Sequence, residues 1–270
     1  MGRRMTKLLL GLLTLYLLVV VVVWLLQSKL VFPGAGVGRG VAVQAPPGVT
    51  VATRVLQNGK RIRTATAMPQ GAPGAVVLFF LGNFEDLRSG VNWADTFAKF
   101  GVAAVVQEYP GYGDSEGEPS VASFLAAAED GAKLAKDMAR GLGVPMVAGG
   151  SSLGTFSAVH VAARGDVERL LLFAPPGSLE EVAKLRYWFL PVSLLLTHRF
   201  DSFAEAKDVR AQVLVLHGDR DEVVPMAQGK RLSEALNGEF LTAKGFGHND
   251  LFYAFTGQFR DRVREFLVRR

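Results

Sequence analysis

Ser152 sits in Gly150-Ser151-Ser152-Leu153-Gly154, a serine with glycine two residues away on both sides. A serine hydroxyl is a weak nucleophile at neutral pH and does chemistry only where a base can take its proton. The spacing suits a sharp turn from strand to helix, because side chains two positions before and after such a serine would collide across the turn. Ser151 does not qualify, since Leu153 follows it two residues later. The short apolar run Val144 to Ala148 precedes the motif and the helical stretch Thr155 to Arg164 follows it, which is the context a nucleophile elbow requires. An ordinary Gly/Ser-rich turn needs no such context.

Four histidines could serve as the base. His217 ends an apolar run in Leu216-His217-Gly218-Asp219 and reads as structural, and His160 lies two helical turns after the nucleophile, where packing is the common role. His198 stands beside Arg199, away from any strand end. His248, in Gly245-Phe246-Gly247-His248-Asn249-Asp250, follows the last expected strand in a loop and is the best base. An acid to orient it is available in Gly218-Asp219-Arg220-Asp221-Glu222-Val223-Val224-Pro225, where Asp219, Asp221 and Glu222 are not separated by spacing alone. Acyl transfer also needs donors aimed at the developing oxyanion, each contributing about 3 kcal/mol. One donor is the N–H of Leu153, and the second falls after the run Ala75 to Leu81, at Asn83 or Phe84.

The elements that must hold these groups follow from pattern. Val49 to Gln57 and Lys60 to Ala67 read as an antiparallel pair around Asn58-Gly59. Ala75 to Leu81, Ala103 to Gln107, Val144 to Ala148, Leu170 to Ala174, Val213 to His217 and Glu239 to Thr242 read as further strands. Helices are expected near Trp93 to Phe100 and over Val121 to Ala139, the latter led by Pro119-Ser120 as a cap. Strands alternating with helices predict an α/β fold with a mainly parallel central sheet and helices on both faces. The candidate residues all fall after strands, where such sheets bind ligands.

Leu8 to Leu26 is an uncharged run of nineteen residues, and at about 1.5 Å per residue it nearly matches a hydrocarbon core of about 30 Å. A buried core helix rarely stays apolar on every face for so long. The run exceeds the usual apolar region of a cleaved signal, and Gln27-Ser28-Lys29-Leu30 offers no small-x-small cleavage site, so an uncleaved signal anchor is expected. Arg3, Arg4 and Lys7 precede it and only Lys29 and Arg39 follow closely, which predicts a single-pass protein with a cytoplasmic N-terminus and an extracytoplasmic catalytic domain. The chain divides into a tip and anchor at 1–29, a linker at 30–48 and one catalytic domain at 49–270. Pro33-Gly34-Ala35-Gly36-Val37-Gly38 opens no amphipathic helix, so its glycines have no phosphate to cradle. The net charge of +5 is concentrated at the two ends, without a basic stripe interleaved with aromatics, which argues against nucleic acid. Cysteine is absent, which excludes disulfides and thiolate metal sites, and no metal-ligand cluster or nucleotide loop points to a cofactor.

Taken together, these motifs resemble the alpha/beta-hydrolase-domain proteins of the single-span membrane type, similar to lysophospholipase-like and acyl-protein-thioesterase-like hydrolases. The resemblance is carried by the anchor leading to Phe32-Pro33, Leu81-Gly82-Asn83, Tyr109-Pro110-Gly111-Tyr112-Gly113-Asp114-Ser115, Gly150 to Gly154, His217 to Pro225 and Gly247-His248-Asn249-Asp250. It implies an alpha/beta-hydrolase fold with a triad of Ser152, Asp221 and His248 and an oxyanion hole at Asn83 and Leu153; Asp219 then braces its loop. The family often has His-Gly-Asn-x-Gly-Asn after the early strand, whereas this chain reads Leu81-Gly82-Asn83-Phe84-Glu85-Asp86.

By the same resemblance, residues 177–208 form a short lid, here with an apolar centre at Tyr187 to Leu190 and Leu194 to Leu196. The expected function is hydrolysis of carboxylic esters or thioesters through an acyl-enzyme, on small-molecule or lipid acyl substrates, at a membrane reached through the N-terminal helix. A serine peptidase or aminopeptidase uses the same triad and is the alternative, followed by a noncatalytic membrane scaffold. Oligomeric state leaves no mark in the sequence.

Overall fold

The computed structural model describes residues 2–165 and 167–268. It opens with a thirty-residue helix, α1 (Gly2–Val31). The order that follows is β1 (Val49–Val55), β2 (Arg61–Ala67), β3 (Val76–Phe80), α2 (Leu87–Lys99), β4 (Ala103–Gln107), α3 (Val121–Leu142), β5 (Met146–Ser151), α4 (Gly154–Ala163) and β6 (Arg169–Phe173). Three short helices, α5 (Leu179–Arg186), α6 (Val192–Leu195) and α7 (Ser202–Ala206), precede β7 (Gln212–Gly218), α8 (Met226–Ala235), β8 (Glu239–Ala243), α9 (Leu251–Thr256) and α10 (Arg260–Val268).

The strands form one eight-stranded sheet in the order β1-β2-β4-β3-β5-β6-β7-β8. β2 runs antiparallel to both of its neighbours, and the other five pairings are parallel. The expected hairpin is present: Gly59 takes a positive φ, and the Asn58 side chain accepts from the Lys60 N–H at 3.0 Å. Every residue of β3, β4 and β6 is buried, as expected for strands covered on both faces. α2, α9 and α10 cover one face, and α3, α4 and α8 cover the other.

Trp93 on α2 ties the first of these faces together. Its ring lies 4.3 Å from Phe79 on β3 and 4.9 Å from Phe252 on α9, and it stacks near Phe255. α9 begins three residues after His248, so this aromatic cluster fixes the loop carrying His248 to the sheet. Burying rings of this size contributes about 2 to 3 kcal/mol each.

Residues 32–40, expected as part of a linker, pack on the domain. Phe32 is buried against Phe124 and Phe200, the Gly36 N–H donates to the Gly111 carbonyl at 2.8 Å, and Ala35 bridges to Tyr112. α1 therefore enters the domain through a seated segment instead of a loose tether.

Candidate active site

The elbow is built as its glycines demand. Ser152 has φ +49, a strained conformation for a residue with a side chain and one met chiefly at functional turns. Its own N–H donates to the Phe173 carbonyl at 2.8 Å, and its carbonyl accepts from the Thr155 hydroxyl at 2.6 Å, so both peptide groups are pinned. A Cβ at Gly150 would run into the Gly154 peptide, and one at Gly154 would overlap the Phe80 and Leu81 carbonyls. The turn closes only with glycine on both sides.

The carboxyl ends of the parallel strands bring the other groups together. Ser152 follows β5, Asp221 follows β7 and His248 follows β8. His248 Nε2 lies 2.9 Å from Ser152 Oγ, and its Nδ1 lies 2.7 Å from Asp221 Oδ2. The second carboxylate oxygen, Asp221 Oδ1, accepts from the N–H groups of Val223 and Val224 at 2.9 and 2.8 Å. Burial works to raise the Asp221 pKa, but the hydrogen bonds from His217, His248 and the Val224 N–H prevail and hold this carboxyl well below the usual carboxylate range.

His217 is the reason that balance tips. It is fully buried, and its Nε2 faces both the Val224 carbonyl at 3.0 Å and Asp221 Oδ2 at 3.2 Å. Two acceptors on one nitrogen require the proton there, so His217 donates to the same carboxylate that bonds His248. Asp219 accepts from the Gly245 N–H at 2.7 Å and braces the loop carrying His248, and Glu222 lines the cavity without joining the relay. His160 is packed between Glu205 and Glu129 at 2.8 and 3.1 Å, while His198 bonds to Ser28 of α1 at 2.8 Å.

Asn83 and Leu153 flank Ser152 on the same cavity. Leu153 stands at the N-terminus of α4, where backbone N–H groups point outward. The loop carrying Asn83 is braced from three sides. The Asn83 carbonyl accepts from Tyr112 Oη at 2.9 Å and from the Gly34 N–H at 3.2 Å, and the Leu81 carbonyl accepts from Tyr109 Oη at 2.7 Å. Inside the loop, Glu85 accepts from the Gly82 N–H at 2.6 Å and from Trp93 Nε1 at 3.0 Å. Burial pushes the Glu85 carboxyl up, opposed by those two donors.

Glu85 thus supplies the loop's internal support where the resemblance leads one to expect a second glycine and asparagine. Sequence reasoning singled out the Tyr109 to Ser115 motif without assigning its work; the two tyrosine hydroxyls are that work. The parts it missed are Glu85, His217 as a donor to Asp221, and Gly34. An acidic residue directly after the bulky Phe84, followed eight residues later by tryptophan, was the available signal for Glu85.

A cavity of about 310 Å³ opens beside Ser152, lined mostly by apolar side chains, among them Leu179, Val182, Leu190, Val192 and Leu196 of residues 177–208. Those residues fold as α5, α6 and α7 over the site.

The chain is 32% identical to alpha/beta hydrolase domain-containing protein 17B of Xenopus tropicalis over 215 residues, which cover 76% of this chain and 71% of that protein. This chain belongs to the alpha/beta-hydrolase superfamily. An uncharacterized protein of Mycobacterium tuberculosis is 29% identical over 255 residues, 93% of this chain and 90% of its own length. The family model described as TAP-like protein matches residues 196–269, the part that carries Asp221 and His248. Among solved structures, an esterase of Pyrococcus furiosus superposes with a TM-score of 0.69 at 15% identity, covering 85% of this chain and 95% of that one. The fold of this hydrolase is therefore esterase-like. Its N-terminal helix is long and apolar enough to cross a membrane.

Proposed function

We propose that the chain is a membrane-anchored serine hydrolase that cleaves carboxylic esters or thioesters through an acyl-enzyme. The observation that carries this reading is the continuous relay from Ser152 Oγ through His248 to Asp221, opening on an apolar cavity. In the first half-reaction His248 Nε2 takes the Ser152 proton as Oγ bonds to the acyl carbon. The Asn83 and Leu153 N–H groups hold the resulting oxyanion, and the imidazolium returns the proton to the departing alcohol or thiol. Water then attacks the acyl-enzyme with the same base. Asp221 stays ionised throughout, fixing the tautomer of His248 and offsetting its charge.

Substrate class follows from the cavity. Its volume is about twice that of an apolar cavity that holds benzene, so it takes on the order of a dozen carbon atoms of an acyl chain. Peptide side chains with their amides would bring polar groups into it without partners. Arg3, Arg4 and Lys7, in the first turns of α1 ahead of its apolar run, support a cytoplasmic N-terminus and a hydrolase domain on the opposite side.

A fluorophosphonate probe and a substrate panel test the proposal. Wild type is expected to label and Ser152→Ala is expected not to; p-nitrophenyl esters should turn over and aminoacyl anilides should not. Equal labelling of the two proteins would remove Ser152 from the reaction, and preference for the anilides would make the enzyme a peptidase. An active cytoplasmic reporter at the C-terminus would reverse the assigned orientation.

A further inference from the structure

The cavity beside Ser152 has a wall that the hydrolase domain does not supply. Val23, Trp24, Gln27, Leu30 and Val31 of α1 line it. These positions recur at helical spacing, so they form one stripe of α1 facing residues 177–208. Val20, Val23 and Val31 pack directly on the small apolar cluster of Leu190, Val192 and Leu196.

Polar contacts lock this arrangement. Gln27 is buried in the middle of the interface, and its Oε1 accepts from both the N–H and the hydroxyl of Thr197 at 2.8 Å. Its Nε2 donates to the Leu195 carbonyl at 3.2 Å and to the Trp24 carbonyl at 2.9 Å. Eleven residues earlier, Tyr16 Oη donates to the Phe189 carbonyl at 3.1 Å. Irregular backbone cannot sit at membrane depth unless its N–H and C=O groups find partners in protein. The residues of α1 provide those partners for Phe189, Leu195 and Thr197.

Depth follows from the same bonds. Gln27 lies just past the apolar run Leu8 to Leu26, and Tyr16 lies near its middle. The two are about 16 Å apart along the helix, roughly half the hydrocarbon thickness. The bonded segment and the turn just before it, residues 185–197, expose Trp188 at 82% and Leu194 at 84%, with Leu185 and Phe189 also outward. Side chains of this kind are stabilised in lipid and penalised in water.

We propose that the C-terminal half of α1 is a built wall of the acyl site. The tip of the lid lies beside it within one leaflet, so an acyl chain passes from the bilayer to Ser152 without crossing water. The ligand class is a membrane-resident ester or thioester of a long acyl chain, and Gln27 is a positioning residue that holds lid and anchor together. The identity of the cleaved bond rests on the proposed hydrolase function; the placement of the lid does not.

Two measurements on the full chain in phosphatidylcholine vesicles test this. In the first, lipids brominated midway along their acyl chains quench tryptophan fluorescence, and wild type is compared with Trp188→Phe. The Trp188 contribution should be quenched by the bromolipid and untouched by aqueous iodide; the reverse result overturns the placement, whether or not the protein is active. In the second, Val23→Trp fills the cavity from the anchor side, and Val21→Trp changes the opposite face of α1. The ratio of dodecanoyl to acetyl p-nitrophenyl ester turnover should fall at least tenfold in Val23→Trp and stay at the wild-type value in Val21→Trp. Equal ratios in all three proteins overturn the wall. Turnover of neither ester by wild type would instead defeat the hydrolase reading, leaving the bromolipid result to decide where the lid lies.

Discussion

Asp221→Asn isolates the electrostatics of the relay from its shape. Each carboxylate oxygen of Asp221 accepts from two donors: the Val223 and Val224 N–H groups on Oδ1, and His248 and His217 on Oδ2. An asparagine must place its NH₂ on one of these two sides, where donor faces donor. If the NH₂ takes the imidazole side, His248 can relieve the clash only by moving its proton to Nε2, the nitrogen that must accept from Ser152. The same exchange in serine-protease triads lowers kcat about 10⁴-fold, which corresponds to about 5.4 kcal/mol of transition-state stabilisation. If the NH₂ takes the backbone side, the conflict instead leaves a buried donor unmatched, a stability loss of about 1 to 3 kcal/mol. Turnover of p-nitrophenyl acetate and thermal melting separate the two. The expected result is a loss of at least 10³-fold in kcat with a retained cooperative melt, against less than threefold for Asp219→Asn, whose carboxylate accepts from the Gly245 N–H away from His248. An Asp221→Asn protein within tenfold of wild type, or an Asp219→Asn protein as impaired, would refute the assignment of the acid.

Further consequences are as direct. Gly154→Ala drives a methyl group into the Phe80 and Leu81 carbonyls, and since neither backbone can retreat, the variant should lose about 3 kcal/mol or more, read as a lowered Tm and absent probe labelling. Tyr112→Phe removes one of two donors to the Asn83 carbonyl, about 1 kcal/mol, so Tm should fall by about 2 to 4 °C and kcat for a short ester should drop by up to about fivefold. Because the folded-state pKa of Asp221 is depressed, its contribution to stability is complete above the ordinary carboxylate pKa and is lost as pH falls through the folded value. Stability of wild type should therefore decline below about pH 4 more steeply than that of Asp221→Asn, measured by urea denaturation at stepped pH.

The sheet was legible because buried parallel strands write themselves as short apolar runs, and the elbow because strand, glycine spacing and helix coincide around Ser152. The misplacements have local causes. β5 begins at Met146 and not at Val144, because Pro145 has no N–H for the ladder. It then continues through Gly149 and Gly150, which read as a turn, because both pair in the ladder with β3 and β6, where Phe79 and the Leu171 carbonyl lie close against Gly149. α2 starts six residues before the expected Trp93, since Asp86 caps it by accepting from the Arg88 N–H at 2.9 Å. Residues 226–235 and 251–268 lacked a legible helical stripe, and their helices are set by packing on β7, β8 and the Trp93 cluster. The support behind the catalytic groups was the least legible part. Donors such as His217, Tyr112 and Gly34 act across gaps of 4, 29 and 49 residues, and only the folded chain reveals which acceptor each one meets.

That long-range support makes the boundary between α1 and the domain testable by truncation. A chain beginning at residue 30 keeps Phe32, whose ring is buried among Phe124, Phe200 and His198. It also keeps the Gly34 N–H on the Asn83 carbonyl. A chain beginning at residue 34 loses the ring, and removal of a buried phenylalanine destabilises by about 3 to 5 kcal/mol. For a domain of this size that is a Tm drop of about 6 to 20 °C. Both truncations uncover Leu190, Val192 and Leu196, so both should need detergent to remain dispersed. The difference between them reports residues 30–33, of which the buried Phe32 ring is the largest part, beside the Val31 contact with the lid and the Gly34 N–H. Melting of the two proteins in the same mild detergent is the measurement. Coincident Tm values would mean that residues 30–33 are only a tether, and that the domain stands without the segment that joins it to α1.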